Sequence, residues 1–379
     1  MRSILFAMMG LVACTTEDGL IDDQGADLAG QDEKGDAIPG IEVQGRLAVG
    51  TADARLTTSI PRPGFVFYAA PGAKVTLEVT KAGSTSGLDT ALKVYGPRLA
   101  DGTYPRTVAA DDDEGYGKLS KISGHAIDIG GFYLVEVTSG AAVTTPVADA
   151  KARLKLSCTG GCATDQPVAP LGLDIKWYQR SAERRALSMQ AYATATAKVT
   201  ARAASAPANW GVVLDIDETS LDNSPYQRAR AELGLGYSPA SWGEWVRQKA
   251  AEPIPGALAF TKKVKQLGGR VVFVSNRLAA TECPSTEQNL TAKGFVFDGM
   301  LCKTNTSDKN PRFASLKNGT GVAGLPALEI LAFVGDNILD FPELAQDLRT
   351  RPESAYADFS EKLFIIPNPM YGSWEKNAD

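Results

Sequence analysis

Asp215 and Asp217 are carboxylates at i and i+2, directly after the apolar run Val212-Val213-Leu214, in the string Asp215-Ile216-Asp217-Glu218-Thr219. As a chain leaves a buried strand, both can face one cleft, so that one attacks phosphorus while the other carries a proton to the leaving oxygen. Aspartates are also common in turns and caps, so the pair alone decides little. Three more groups stand in comparable places. Phe273-Val274-Ser275-Asn276-Arg277 ends an apolar run in a hydroxyl that, with the amides beside it, can hold a phosphoryl oxygen; a serine there can equally cap a helix. In Ser307-Asp308-Lys309 a lysine can neutralise both phosphate and attacker, with Lys303 as its rival. Phe333-Val334-Gly335-Asp336-Asn337-Ile338-Leu339-Asp340 adds two carboxylates whose oxygens suit magnesium, a hard ion.

These groups need a scaffold that brings strand ends together. From residue 174 to 203 an alanine-rich stretch has Ile175, Tyr178, Ala182, Ala186 and Met189 at helical spacing. Short apolar strands then alternate with helical segments: Gly211–Leu214, Arg270–Ser275, Val296–Leu301, Ile330–Val334 and Leu363–Ile366, with helices such as Ala257–Leu267 and Phe341–Leu348 between. Such alternation predicts an α/β fold with a parallel sheet and helices on both faces, where ligands bind beyond the carboxyl ends of the strands. Between Leu221 and Pro253 an insertion carrying Tyr226, Tyr237, Trp242 and Trp245 reads, with the helix from Asp174, as a small helical cap. Tyr226, Trp242 and Tyr371 suit stacking on a nucleobase or aryl group, or serve as core.

Taken in order, a DxDxT strand end, a strand-end serine, a lysine and a GDxxxD strand end resemble the four motifs of the haloacid dehalogenase (HAD) superfamily. The likeness extends to the bacterial class C acid phosphatases, which include a lipoprotein acid phosphatase and 5′-nucleotidase. It is carried by Trp177–Ala186, Val213–Tyr226, Pro255–Ala257, Ser307–Phe313, Ile330–Phe341 and Pro367–Glu375, and covers nearly all of 173–379. Ser220 departs from the family pattern, as do Cys283 and Cys302; none is at a catalytic position. The resemblance implies a HAD-like Rossmannoid sheet and a magnesium-dependent hydrolysis of phosphomonoesters. Asp215 is then the nucleophile and Asp217 the acid–base, with Ser275 and Lys309 completing the catalytic set. Thr219, Asn276, Arg277, Tyr226 and Tyr371 fall at the substrate. Asp215, Asp336, the Asp217 main-chain carbonyl and, in support, Asp340 hold Mg2+. Asp217 also argues against a dehalogenase, whose leaving group needs no proton. With His125 the only histidine, phosphohistidine chemistry and a Ser-His-Asp triad are excluded.

Residues 41–158 read as an all-β sandwich: Phe65 and Phe67, then Val75, Leu77 and Val79, Leu92 and Val94, and Tyr133, Val135 and Val137 alternate, with Thr76, Glu78, Lys93 and Glu136 on the opposite face. Leu88-Asp89-Thr90, Asp111-Asp112-Asp113 and Gly131-Phe132-Tyr133 resemble the pre-peptidase C-terminal module of secreted bacterial enzymes. Asp111–Glu114 reads either as a Ca2+ site or as a solvated turn, the turn being favoured. Residues 159–172 form a linker to the 173–379 unit.

Arg2, the apolar stretch Ile4–Leu11 and Leu11-Val12-Ala13-Cys14 read as a signal peptide (1–13) with a lipobox, making Cys14 an acylated N-terminus. Residues 14–40 are acidic and poor in apolar side chains, a tether. The expectation is an exported, lipid-anchored protein at the outer membrane or cell surface, with a small phosphomonoester as partner. A net charge of −5 excludes a nucleic-acid polymer. In an exported chain Cys158, Cys162, Cys283 and Cys302 predict disulfides, of three possible connectivities; Cys158–Cys162 and Cys283–Cys302 are favoured, and zinc is disfavoured for want of histidine and of a second close cysteine pair. The rival to an enzyme is a cell-surface binding protein on a vestigial phosphatase fold.

Overall fold

The computed structural model describes residues 38–57, 60–82, 88–99, 103–140, 149–160 and 171–378. Cys14 and Cys162 lie outside them, as do the expected signal peptide and most of the tether. The N-terminal strands are β1 (Glu42–Arg46), β2 (Gly50–Thr57), β3 (Pro63–Ala69), β4 (Lys74–Lys81), β5 (Thr90–Tyr95), β6 (Thr107–Asp111), β7 (Lys121–Ala126), β8 (Gly131–Ser139) and β9 (Asp149–Thr159). They build two sheets, β1-β3-β8-β5-β6 and β2-β9-β4-β7, antiparallel except where β1 runs parallel to β3. The predicted alternation supplies the core between them, from Phe65 and Phe67 to Val135 and Val137. One face departs from expectation. Glu136 is not solvated but buried, held by Arg62 and by the Tyr95 hydroxyl. Beside it Val66 and Leu134, on the outer face of β3 and β8, are buried against a second apolar cluster. On the acidic run, Asp111 Oδ2 accepts from the amides of Glu114 (3.2 Å) and Lys121 (2.7 Å), which is turn geometry. Carboxylate oxygens of Asp112, Asp113 and Asp89 lie within 4.8 Å of one another.

The rest of the described chain runs α1 (Leu173–Arg180), α2 (Ala182–Ala203), β10 (Trp210–Leu214), β11 (Leu221–Asp222), α3 (Ser224–Leu233), α4 (Pro239–Gln248), β12 (Glu252–Pro253), α5 (Ala257–Gln266), β13 (Arg270–Leu278), α6 (Cys283–Ala292), β14 (Gly299–Lys303), α7 (Asn310–Lys317), β15 (Glu329–Gly335) and β16 (Leu363–Ile365). A parallel sheet of order β14-β13-β10-β15-β16 forms its centre. Val212 and Leu214 of β10 pack with Tyr192, Val199 and Phe260 of the α2–α5 layer, while Val213 packs with Phe313 and Phe341 on the other face. Cover on both faces is why these strands read as unbroken apolar runs. The cap insertion leaves and returns through a short antiparallel ribbon, Leu221 opposite Pro253.

Three elements differ from the sequence expectation. The helical stretch from 174 to 203 is broken at Ser181, which is extended (φ −83°, ψ 143°) and accepts from the Arg184 amide, ending α1 and capping α2. The third strand starts at Gly299, because Phe295 and Phe297 turn down edge-on against Phe273 instead of entering the sheet. Phe341–Leu348 is not a helix: Pro342 follows Phe341 and Glu343 sits at φ 61°, leaving 3₁₀ turns on either side.

Cys283, the first residue of α6, is bonded to Cys302 in β14. The bond closes a loop with a sequence separation of 19, for which cross-linking restricts the unfolded chain by about 3 kcal/mol. A Cys283→Ala/Cys302→Ala double variant is expected to lose stability of that order, lowering the unfolding midpoint on the order of 10 °C in calorimetry. A midpoint unmoved by more than a degree refutes that contribution.

Candidate active site

The carboxyl edge of the parallel sheet carries a cleft whose lining includes Asp215, Asp217, Lys309, Asp336, Asp340 and Tyr371. Asp215 is the first residue past β10, its amide donating to Val334 O on the neighbouring strand (2.9 Å). Its carboxylate is 6% exposed and meets the Lys309 ammonium at 2.5 Å. Lys309 heads α7 and reaches Asp340 Oδ1 equally closely, at 2.5 Å. The rival Lys303 is buried elsewhere, donating to Ser307 Oγ at 3.3 Å. Asp340 is aimed by its own turn, since its Oδ2 accepts from the Asn337 amide (2.9 Å). That turn closes tightly over Gly335, where a Cβ would lie 2.2 Å from the Asp340 Cβ. Asp336 is fixed from two sides, Oδ1 accepting from Thr219 Oγ1 (3.0 Å) and Oδ2 from Asn368 Nδ2 (2.8 Å).

Oxygens of Asp215, Asp336 and Asp340 thus lie within 4.8 Å of one another. Burial pushes the Asp215 carboxyl up to about 8, against the pull of Lys309 and with Asp340 and Asp217 adding to the rise. Burial, then Asp340 and Asp215, push Asp336 well above the ordinary carboxylate range. Three enclosed carboxylates facing one ammonium are short of positive charge, and an all-oxygen donor set of this kind fits a hard divalent cation.

Asp217 is placed differently. Its side chain turns away from that cluster to Arg277, with Nη2 at 2.8 Å and Nε at 3.0 Å from Oδ1, and accepts from Asn223 Nδ2 at 2.8 Å. Among its metal expectations, therefore, only the main-chain carbonyl is left as donor. Arg277, expected at the substrate, lines the cleft but is only 2% exposed, its guanidinium committed to Asp217; it also donates to Thr286 Oγ1 and Asn223 Oδ1, and the Trp242 ring lies 5.3 Å away. Thr219 is a buried support of Asp336 and does not line the cleft. Tyr226 is buried inside the cap, bonded to Ser241 Oγ (2.9 Å) and edge-on to Trp242, off the cleft wall. Ser275 is fully buried and its Oγ accepts from the Arg277 amide (3.1 Å); Asn276 lines the cleft, its Oδ1 taking a 2.5 Å bond from Arg312 Nη2. Tyr371 lines it too, as expected, together with Tyr237 and Trp242.

Several supports were not read from the sequence. Glu218, within the first motif, sits at φ 53° with no exposed surface. It accepts from the Asn223 amide (2.6 Å) and from the Tyr371 hydroxyl. Burial pushes its carboxyl well above the usual range, with Asp217 and Asp222 adding. Its position in the matched string was the available signal. Asn368, Asn223 and Arg312 lay in the matched Pro367–Glu375, Val213–Tyr226 and Ser307–Phe313 blocks, but nothing in their spacing showed their partners.

Comparison with known proteins bears on the C-terminal part. Residues 163–374 match the family model described as HAD superfamily, subfamily IIIB (acid phosphatase). The class C acid phosphatase from Bacillus anthracis aligns at 32% identity over 53% of this chain and 85% of that one, with a TM-score of 0.49. Its tungstate-bound crystal form aligns at 31% over 55% and 90%, also at 0.49. The stem 28 kDa glycoprotein of Glycine max is 26% identical over 161 residues, 42% of this chain and 58% of that protein, so the chain spans little more than half the length of this curated relative.

Proposed function

Because the chain belongs to the HAD superfamily, subfamily IIIB of acid phosphatases, we propose that it hydrolyses small phosphomonoesters through an aspartyl-phosphate on Asp215. The observation that carries this reading is the 2.5 Å Asp215–Lys309–Asp340 arrangement at the carboxyl edge of the sheet, with Asp217 held separately by Arg277. A carboxylate that must attack an anionic ester needs positive charge beside it more than it needs basicity. Lys309 supplies part. Asp215, Asp336 and Asp340 are the residues that would hold a divalent cation, magnesium by our reading, which when bound supplies the remaining positive charge.

In the first step Asp215 Oδ forms a bond to phosphorus while the ester P–O bond breaks, the alkoxide taking its proton from Asp217. In the second, water attacks phosphorus, its proton passes to Asp217, and the acyl–phosphate P–O bond breaks to release phosphate and free Asp215. Arg277 and Asn223 keep Asp217 pointed at one place through both transfers. The turn at Ser275 and Asn276 is the group we assign to a phosphoryl oxygen; Asn276 lines the cleft, and the buried Ser275 hydroxyl, bonded to the Arg277 amide, sets the shape of the turn. Tyr237, Trp242 and Tyr371 form the leaving-group side, which suits aryl esters and 5′-nucleotides. Retention of every side chain the reaction needs weighs against the binding-only alternative. The proposal includes export and anchoring through Cys14; the Cys283–Cys302 bond, of a kind that persists in oxidising compartments, supports the export alone.

The test is release of inorganic phosphate by the purified chain from an aryl phosphate and a 5′-nucleotide, with magnesium and then with chelator. Turnover is expected with the metal and is expected to fall on the order of a hundredfold or more with chelator. No phosphate release from either ester, or turnover indifferent to chelator, sinks the reading.

A further inference from the structure

The cap does not stand alone. Its helices α3 and α4 are ten residues each, a length at which isolated helices are marginal. The loop between them is held by the sandwich. Leu233 and Leu235 pack into a cluster with Ile41, Val43, Val66 and Leu134, which is the cover over the outer face of β3 and β8. Arg46 donates to Glu232 O and Arg98 to Gly234 O, each at 2.8 Å and each from a residue of the sandwich.

At the centre of this contact is Glu42 of β1, 8% exposed. Its Oε2 accepts from Ser238 Oγ at 2.8 Å, and its Oε1 lies 3.7 Å from Nη1 of Arg230, a guanidinium only 4% exposed. Arg230 in turn bonds Gly236 O (2.6 Å) on the cap and Val43 O (3.1 Å) on the sandwich. Ser238 is the N-cap of α4, accepting from the Ser241 amide. The next residue back is Tyr237, and one turn on is Trp242; both line the cleft, with ring centroids 6.3 Å apart. A carboxylate 196 residues away in sequence therefore fixes the start of the helix that carries one wall of the site.

We propose that Glu42 is a positioning residue for the leaving-group wall, so that the sandwich sets which esters the site accepts. The inference rests on the phosphatase reading above and deepens it. The phosphate end, Asp215 with Lys309 and Asp340, is built on the sheet and has no bond to the sandwich among the described residues. The aromatic wall depends on Ser238. Loosening Ser238 thus weakens binding of large leaving groups and leaves small ones alone, a uniform-binding loss that appears in KM.

The experiment compares full-length Glu42→Ala, Glu42→Gln and the parent on an aryl phosphate and on methyl phosphate, whose leaving group is too small to reach the wall. In Glu42→Ala, KM for the aryl ester is expected to rise about tenfold, the scale of a lost hydrogen bond to a buried charged acceptor, with kcat within about twofold. Kinetics on methyl phosphate are expected to stay within about twofold of the parent. Glu42→Gln keeps an acceptor for Ser238 and is expected to restore most of the aryl KM. Should Glu42→Ala fail to fold, Ser238→Ala removes the hydroxyl that both meets Glu42 and caps α4, and is expected to raise the aryl KM at least about threefold, again without effect on methyl phosphate. An unchanged aryl KM in a folded variant, or equal losses on both esters, overturns the proposal. A parent that turns over neither ester overturns the phosphatase reading instead.

Discussion

Asp215→Asn is expected to abolish turnover of any phosphomonoester, lowering kcat about 10⁴-fold or more, because the amide has no lone pair basic enough to attack phosphorus. The substitution is close to isosteric. Lys309 keeps its contact to Asp340, so the site should stay assembled. Removing one of three crowded carboxylates also relieves repulsion that burial makes costly. The variant should therefore fold, and its unfolding midpoint should not drop. Asp217→Asn is the instructive comparison. Its loss should be smaller, on the order of 10²–10³-fold, since it removes proton transfer and not the nucleophile. That loss should also shrink as the leaving group becomes more acidic, because an aryl oxide departs without needing a proton. Single-turnover release of the leaving alcohol across a series of esters checks both statements, because that step precedes the water attack in which Asp217 also takes part. Full activity in Asp215→Asn, or an Asp217→Asn defect independent of the leaving group, contradicts the assignment of roles.

The site was legible in the sequence to the extent that it is local. Asp215, Asp336 and the Ser275–Arg277 run each follow a short apolar strand, and parallel strands buried on both faces put such ends at one edge. Lys309 and Asp340 come from turns, and only the order of the motifs tied them to the rest. What stayed hidden depends on partners far along the chain. Arg277 stands beside the phosphate-holding turn and so reads as a substrate contact; Asn223 and Thr286 steer it to Asp217, and no spacing rule links the three. Tyr226 sits in a matched string, yet the cap closes around it. The hydrogen bonds of the sandwich–cap contact join residues 136 to 196 positions apart, beyond any periodicity. One trace of it was present: Phe65-Val66-Phe67-Tyr68 is apolar on both faces, where a solvated sheet face would alternate.

Magnesium is expected to stabilise the fold, and to do so more at pH 8 than at pH 5. The unfolded Asp215 carboxyl titrates near the ordinary value of about 3.9, whereas in the metal-free fold it is pushed up to about 8 by burial. The folded state therefore binds more protons across that interval. By linkage, the stability this proton contributes is fully present below about pH 4 and is lost as pH rises through about 8, at up to roughly 1.4 kcal/mol per pH unit for each extra proton held. Asp336, raised for the same reason, acts in the same direction. A cation among these three carboxylates offsets the same repulsion that the protons offset, so proton and metal compete, and alkaline pH favours the metal. At a hundredfold excess over its dissociation constant the ion contributes about 2.7 kcal/mol. Thermal unfolding with magnesium or chelator at the two pH values reads this directly. The magnesium-induced shift should be clear at pH 8, smaller at pH 5, and reduced at both in Asp336→Asn. A shift that is absent, or larger at pH 5, would mean that these carboxylates do not share a cation, and the charge balance on which the chemistry depends would have to come from elsewhere.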